Sequence, residues 1–303
     1  MCIRDSVYAV NGLSFDINAG ETLAIVGESG SGKSVTALAV MGLLTSEAQV
    51  SGSVQLRGRE LLGLSDREMR KIRGKDIAMV FQDAMTSLDP VFTVGNQIVE
   101  ALRAHDRDLS TKAAEKRAVE LLDVVGIAAP ADRINNFPHE MSGGMRQRAM
   151  IAIAIANNPS VLIADEPTTA LDVTIQAQVM EALEAARAAT GAAMVLITHD
   201  LGLVAEHSDK VRVMYGGMTF EAGTTEEVFY RSQNPYTLGL MSSIPRSDQR
   251  AARLHLIRGA PPNAIFAPAG CVFAARCDFV QDVCRTTLPE LEEVGPDHAS
   301  RCH

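Results

Sequence analysis

Gly27-Glu28-Ser29-Gly30-Ser31-Gly32-Lys33-Ser34 is the stretch whose reading decides this chain. It fits G-x-x-x-x-G-K-[ST], the spacing of a phosphate-binding loop, and its flanks fit too. Ala24-Ile25-Val26-Gly27 is a short apolar run ending on glycine, as a buried strand entering a turn does. The residues after Lys33 are helix formers, with Leu38 and Met41 at apolar spacing. A glycine-rich turn between strand and helix aims backbone N–H groups at phosphate oxygens, and the helix adds the positive end of its dipole. Lys33 is then placed to reach the β- and γ-phosphates, and the Ser34 hydroxyl to ligate Mg²⁺. A Gly/Ser-rich linker shares the composition but lacks the flanking strand and helix.

Outward from the loop, the pattern repeats. Ile77 to Phe81, Val161 to Ala164 and Met194 to Ile197 read as buried strands. Ser110 to Val125 reads as an amphipathic helix with Ala114, Ala118, Leu121 and Val125 on one face and Gly126 as its stop. Ile175 to Ala189 reads as another, with Ile175, Val179, Leu183 and Ala186 aligned. Strands alternating with helices predict an α/β fold around a mainly parallel sheet. The 303 residues, 47% hydrophobic and 21% charged, suffice for one large domain or one domain plus an extension. A net charge of −9 argues against general nucleic-acid binding, which relies on Lys and Arg, so no nucleic acid is expected as partner. The longest apolar run, Ala149 to Ala156, is far short of the roughly 18–20 residues that cross a bilayer. Arg4 and Asp5 interrupt the first residues, and no signal peptide is read there. A cytosolic chain that reaches a membrane only through partners is expected.

A second set of residues narrows the function. Val161-Leu162-Ile163-Ala164-Asp165-Glu166 is an apolar strand ending in two carboxylates. Asp165 is placed to hold Mg²⁺, directly or through water, and Glu166 to orient and polarise an attacking water. Met141-Ser142-Gly143-Gly144-Met145-Arg146-Gln147-Arg148 follows the segment containing Gln82, and His199 follows the third strand. Taken alone, Ser-Gly-Gly is a helix-capping turn and a lone His after a strand is structural. In this order, the motifs resemble the ABC ATPase family over roughly residues 7 to 245.

The resemblance implies roles. Ser142, Gly143 and Gly144, the signature, serve the γ-phosphate of ATP bound to the opposite subunit. Met145 stands where Gln is common. Gln82 matches the Q-loop glutamine that senses Mg²⁺ and the attacking water. Ala170-Leu171-Asp172 matches the D-loop, which crosses the dimer interface. His199 matches the switch histidine at the γ-phosphate. The implied fold is that of a P-loop NTPase, an ABC-type nucleotide-binding domain over residues 7–233. A helical subdomain over 83–145 is inserted in it, and a cysteine-containing extension occupies 234–303. Gly27-Glu28-Ser29-Gly30, Phe81 to Pro90 with Ala84 where proline is common, Ser142 to Arg148, and Asn234-Pro235-Tyr236-Thr237 followed by Ile244-Pro245 resemble the oligopeptide/dipeptide/nickel importer branch. That branch implies ATP hydrolysis driving peptide import on the cytoplasmic face of the inner membrane. Its partners are a second ABC ATPase subunit, two transmembrane permease subunits and an extracytoplasmic solute-binding protein. Nickel or glutathione import, and a soluble ABC ATPase of DNA repair or translation, are the alternatives. The family's upstream strand and adenine-stacking aromatic are not found in Met1 to Ser6, so a truncated start is expected.

Cys271, Cys277, Cys284 and Cys302 crowd the tail at spacings x5, x6 and x17. Disulfides are not expected in a reducing compartment. Four thiolates suit a [4Fe–4S] cluster or a tetrahedral Zn²⁺, with His298 and His303 as substitute ligands, and four unligated thiols remain open. Some members of the resembled branch carry an iron–sulfur cluster at such cysteines. Every ATP motif is complete without the cysteines, so a metal group held there is not expected to touch ATP chemistry directly.

Overall fold

The computed structural model describes residues 7–83, 87–169, 171–243, 257–262 and 269–303. The first half of the chain forms β1 (Thr22–Val26), α1 (Lys33–Val40), β2 (Gln55–Leu56), β3 (Arg59–Glu60), α2 (Asp66–Ile72), β4 (Ile77–Val80), α3 (Val94–His105), α4 (Thr111–Val124), α5 (Pro130–Arg133) and α6 (Gly143–Ala154). The second half forms β5 (Val161–Asp165), α7 (Val173–Thr190), β6 (Ala193–Thr198), α8 (Leu201–His207), β7 (Lys210–Tyr215), β8 (Met218–Thr224), α9 (Thr225–Tyr230), α10 (Pro235–Ser242), α11 (Asp282–Thr286), β9 (Glu292–Gly295) and β10 (His298–Ser300). Two compact units result, one from residues 17–21 and 37–196, the other from the N-terminal residues to 16, 22–36 and 197–303.

In the unit of residues 37–196, β4, β5 and the first residues of β6 lie in that order. β4 and β5 run parallel, with Ile77 opposite Val161 and Val80 opposite Ala164. Strands covered on both faces carry continuous apolar runs, and Ile77–Val80 is buried at every residue. Ser110 caps α4 by accepting from the Ala113 N–H at 3.3 Å, and Gly126, at φ +71°, turns the chain away after it. Ala114, Ala118 and Leu121 of α4 and Val125 just after it are buried, the stripe that the apolar spacing predicts, and Leu122 is buried beside them. Gly144 near the start of α6 lies against Ile175 of α7. A Cβ on Gly144 would come within 2.5 Å of Ile175 Cγ2. A β-branched side chain yields little there, so these two helices approach closely only with glycine at 144.

In the other unit, β1 pairs parallel with β7, from Leu23 opposite Lys210 to Val26 opposite Val213. Beyond β7 the pairing turns antiparallel: β8 returns along β7, β10 along β8 and β9 along β10. The sheet is thus mixed, where alternating strands and helices predicted a mainly parallel one. The cause is local. Gly216 and Gly217, at φ +54° and +79°, form a two-residue hairpin between Tyr215 and Met218, which needs positive φ at both positions.

Residues on both sides of position 233/234 pack in this unit. Tyr215, Phe220, Tyr236 and Phe273 form one aromatic cluster, with edge or tilted contacts at 4.5–6.5 Å between ring centroids. Such pairs add about 0.5–1.5 kcal/mol each beyond their area burial. Polar groups close the same region. The buried Asn234 amide donates to Phe220 O at 2.9 Å and Arg301 O at 3.2 Å, while its Oδ1 accepts from Tyr236 N at 3.0 Å. Glu221, fully buried on β8, accepts from Ser232 Oγ at 2.8 Å and Gln233 N at 2.6 Å, and His298 Nε2 of β10 lies 2.9 Å away. Removing that carboxylate takes a partner from the buried His298 and an acceptor from Ser232 and Gln233. Glu221→Ala should lower unfolding free energy by about 2–4 kcal/mol, read from the midpoint and slope of urea denaturation. A variant as stable as the parent would show that the network carries no net stabilisation.

Candidate functional site

The loop after β1 is shaped by two residues that can have no side chain. Gly27 has φ +152°, and a Cβ there would collide with the Met214 carbonyl. Gly32 has φ +100°, and a Cβ there would collide with the Ala9 carbonyl. Between them the chain curls so that Lys33, only 4% exposed, folds back over its own loop. Its Nζ donates to Gly27 O at 2.8 Å and Glu28 O at 3.0 Å. Ser29 and Gly30 form the exposed lip, and Ser31 O accepts from Gly217 N at 3.1 Å. The Ser31 hydroxyl is buried and, among the described residues, has no hydrogen-bond partner. A buried hydroxyl in that state calls for an acceptor or donor from outside the chain. Ser34 stands in the first turn of α1, whose N-terminus opens on the loop. A glycine-lined turn, a lysine ammonium and an orphan hydroxyl at a helix N-terminus suit a polyphosphate.

Glu28 is held on three sides. Lys33 takes its carbonyl, and its N–H donates to Tyr236 Oη at 3.0 Å. Arg276 grips its carboxylate with both terminal nitrogens, Nη1 to Oε2 at 2.5 Å and Nη2 to Oε1 at 2.9 Å. Arg276 Nη1 also donates to Tyr215 Oη at 3.1 Å, and its guanidinium lies 5.7 Å from the Tyr215 ring centroid. The Arg276 side chain is 7% exposed and that of Glu28 23%. Hydrogen bonding to Glu28 drives the Arg276 pKa further up, so the guanidinium stays charged. Burial pushes the Tyr236 phenol well above the ordinary tyrosine range. The tail therefore touches the loop directly, through Arg276 and Tyr236. Arg276 and Tyr215 carry no sequence motif, and Tyr236 stands only in the branch-like stretch Asn234-Pro235-Tyr236-Thr237. The one hint is that Arg276 adjoins Cys277.

The same unit carries His199, exposed at the end of β6. Asp200 after it caps α8, accepting from Gly202 N at 2.8 Å and Leu203 N at 3.3 Å. In the other unit, Asp165 ends β5 and is 6% exposed. Glu166 breaks from the strand at φ +45°, a left-handed conformation that costs a non-glycine residue about 1–2 kcal/mol. Its Oε2 accepts from Gln82 Nε2 at 3.1 Å and Thr169 Oγ1 at 2.9 Å. The structure thus joins Gln82 to Glu166, residues read separately from the sequence. Ser142 caps α6, accepting from Met145 N at 3.3 Å, and Gly143 and Gly144 form its first turn. Asp172 caps α7, accepting from Ile175 N at 3.0 Å. Ala84, Met85, Thr86, Ala170, Ile244 and Pro245 lie outside the described residues.

Cys271, Cys277, Cys284 and Cys302 are free thiols that line one cavity of about 250 Å³ beside Phe273 and His303. Burial pushes up the thiols of Cys271, Cys277 and Cys302. Among the described residues, no three His, Cys, Asp or Glu side chains form a metal-holding group. His298 is committed to Glu221, which removes it as a substitute ligand. Among the described residues, too, no helix is long and apolar enough to cross a membrane.

Two family models match: "ABC transporter" over residues 10–169 and "Oligopeptide/dipeptide transporter, C-terminal region" over residues 220–284. The oligopeptide transport ATP-binding protein of Mycobacterium tuberculosis is 54% identical over 98% of this chain; the chain spans 49% of that protein's length. The dipeptide transport ATP-binding protein of Bacillus subtilis is 50% identical over 98% of this chain and 89% of its own length. Among solved structures, a dimeric ATP-binding cassette in a post-hydrolysis state with ADP and Pi superposes with a TM-score of 0.63 at 30% identity, covering 72% of this chain and 90% of that one. The chain belongs to the ABC transporter family, in its oligopeptide/dipeptide ATP-binding branch.

Proposed function

We propose that this chain is the ATP-hydrolysing subunit of a binding-protein-dependent importer of peptides. The observation that carries the reading is the closed loop Gly27–Ser34, with Lys33 folded over it and the Ser31 hydroxyl left for a ligand. The relatives' names, oligopeptide and dipeptide transport ATP-binding proteins, support the peptide class over nickel, glutathione, DNA repair or translation.

The proposed chemistry rests on positioning and charge. The backbone N–H groups of the loop and the Lys33 ammonium hold the β- and γ-phosphates. Ser34, Asp165 and Gln82 would hold Mg²⁺, which when bound would supply positive charge against the phosphates. Glu166 accepts a proton from the attacking water and orients it. Its bonds from Gln82 and Thr169, and its constrained backbone, fix the carboxylate before the water arrives. His199 steadies the γ-phosphate. Ser142, Gly143 and Gly144 serve the nucleotide of a second ATPase subunit, with Asp172 at that interface, so that two ATP molecules are sandwiched by two chains. Closing and reopening of that pair drives two transmembrane permease subunits, which an extracytoplasmic solute-binding protein loads. The chain then sits peripherally on the cytoplasmic face of the inner membrane. The ATPase domain takes residues 7–233, with the helical subdomain at 83–145, and the extension takes 234–303.

The tail cysteines are proposed to hold a [4Fe–4S] cluster, with Zn²⁺ as the alternative. Four free thiols on one cavity support it. Since they form no ready-made metal group, ligation requires their side chains to close in on the ion or cluster. The group would tie Cys271 and Cys277 to Cys284 and Cys302, anchoring the tail.

Glu166→Gln, assayed in the assembled transporter, should keep Mg-ATP affinity within about threefold and cut turnover by about 10²–10⁴-fold, the range of a lost general base. Near-normal turnover would remove Glu166 from that role. Anaerobic purification followed by iron, acid-labile sulfide and zinc analysis should find about four iron and four sulfide per chain, as the cluster formula requires. Zinc without sulfide would substitute the structural ion, and no metal would leave four plain thiols.

A further inference from the structure

One closely held residue of the phosphate loop is one that the family motif leaves variable. Glu28 occupies an x position of G-x-x-x-x-G-K-[ST], yet its carbonyl, N–H and carboxylate are all engaged. Two of these three bonds come from residues more than 200 positions away in sequence, Tyr236 and Arg276. Neither is a casual surface contact. Tyr236 is fully buried in the aromatic cluster with Tyr215, Phe220 and Phe273. The Arg276 side chain is almost as well covered, and its Nε donates to Arg258 O at 2.8 Å, which fixes the plane of the fork. Bidentate arginine–carboxylate geometry restrains both distance and direction.

We propose that the C-terminal extension sets the shape and charge of the phosphate loop, with Arg276 and Tyr236 as positioning residues that act on ATP through Glu28. Two physical effects are involved. Tyr236 Oη and Arg276 hold the start of the loop from outside while Lys33 holds it from within, so the backbone donors are aimed before the nucleotide arrives, and less conformational freedom is lost on binding. Arg276 also neutralises a carboxylate that would otherwise place a negative charge beside a polyanion. Arg276 lies in sequence between Phe273 and Cys277, both of which line the thiol cavity, and Phe273 also packs on Tyr236. The inference rests on the reading of the loop as an ATP site.

The test is equilibrium binding of Mg-ATP to the full chain, with thermal unfolding of each variant measured alongside. Arg276→Gln should weaken Mg-ATP by about tenfold, equivalent to about 1.4 kcal/mol. Arg276→Lys, which keeps the charge and loses the fork, should fall between Arg276→Gln and the parent. Tyr236→Phe, which removes one oxygen and keeps the buried ring, should weaken binding by about fivefold, the equivalent of about 1 kcal/mol, the worth of one neutral hydrogen bond. The double variant Glu28→Gln with Arg276→Gln should recover most of the affinity that Arg276→Gln loses, because the unpaired charge is gone. If Arg276→Gln and Tyr236→Phe bind Mg-ATP as the parent does while only their unfolding temperatures change, the extension is structural and the proposal fails. A double variant no better than Arg276→Gln alone would equally overturn the charge argument. A parent chain that binds no Mg-ATP would overturn the ATP reading itself, and the inference with it.

Discussion

The path of residues 27–34 depends on a steric constraint, the absence of a side chain under two backbone carbonyls. Met214 O closes over Gly27 and Ala9 O over Gly32, and no β-carbon fits beneath either. Both carbonyls belong to the same compact unit as the loop, one on β7 and one on the segment before β1. The loop is thus pinned at both ends by backbone, and the middle is free to turn its N–H groups inward. Lys33 completes the closure by bonding to Gly27 and Glu28. A site built this way is largely formed before any ligand binds, as electrostatic catalysis and tight phosphate binding both require.

The tail adds a second layer of restraint. The antiparallel strands β8, β10 and β9 and the cluster of Tyr215, Phe220, Tyr236 and Phe273 give the extension a core shared with the phosphate-loop unit. A short extension has little apolar surface of its own to bury, and sharing a core supplies what it lacks. The same sharing places Arg276 and Tyr236 on Glu28. In the other unit, Glu166 shows comparable care: a left-handed backbone at the end of a buried strand, and two bonds fixing its carboxylate. Strain of this kind persists where surrounding structure over-determines a residue.

Much of this was legible in the sequence because its causes are local. The apolar run before Gly27, the Ser110 cap and the Gly126 stop all lie within a few residues of the element they define. The ordered motifs identified the family for the same reason. What escaped was non-local or double-edged. Gly216-Gly217 is a plain turn signal, but the sequence alone does not say that the strand after it reverses the sheet's direction. Arg276 meets Glu28 across 248 positions, and an arginine beside a cysteine carries no pattern. The four cysteines were visible as a crowd. That they line one cavity without forming a metal group depends on side-chain geometry, which spacing does not encode. His298 looked like a spare ligand until its buried partner, Glu221, came into view.

The central claim is that the proposed ATP loop and the C-terminal extension are energetically one body. Coupling between sites is reciprocal: if the tail favours nucleotide binding, nucleotide must favour the ordered tail by the same free energy. Amide hydrogen exchange on the full chain, with and without saturating Mg-ATP, measures this directly. The account predicts slower exchange at Gly30–Ser34 and, at the same ATP concentrations, slower exchange across Cys271–Cys277. Protection confined to the loop, with the tail segment exchanging at an unchanged rate, would contradict it.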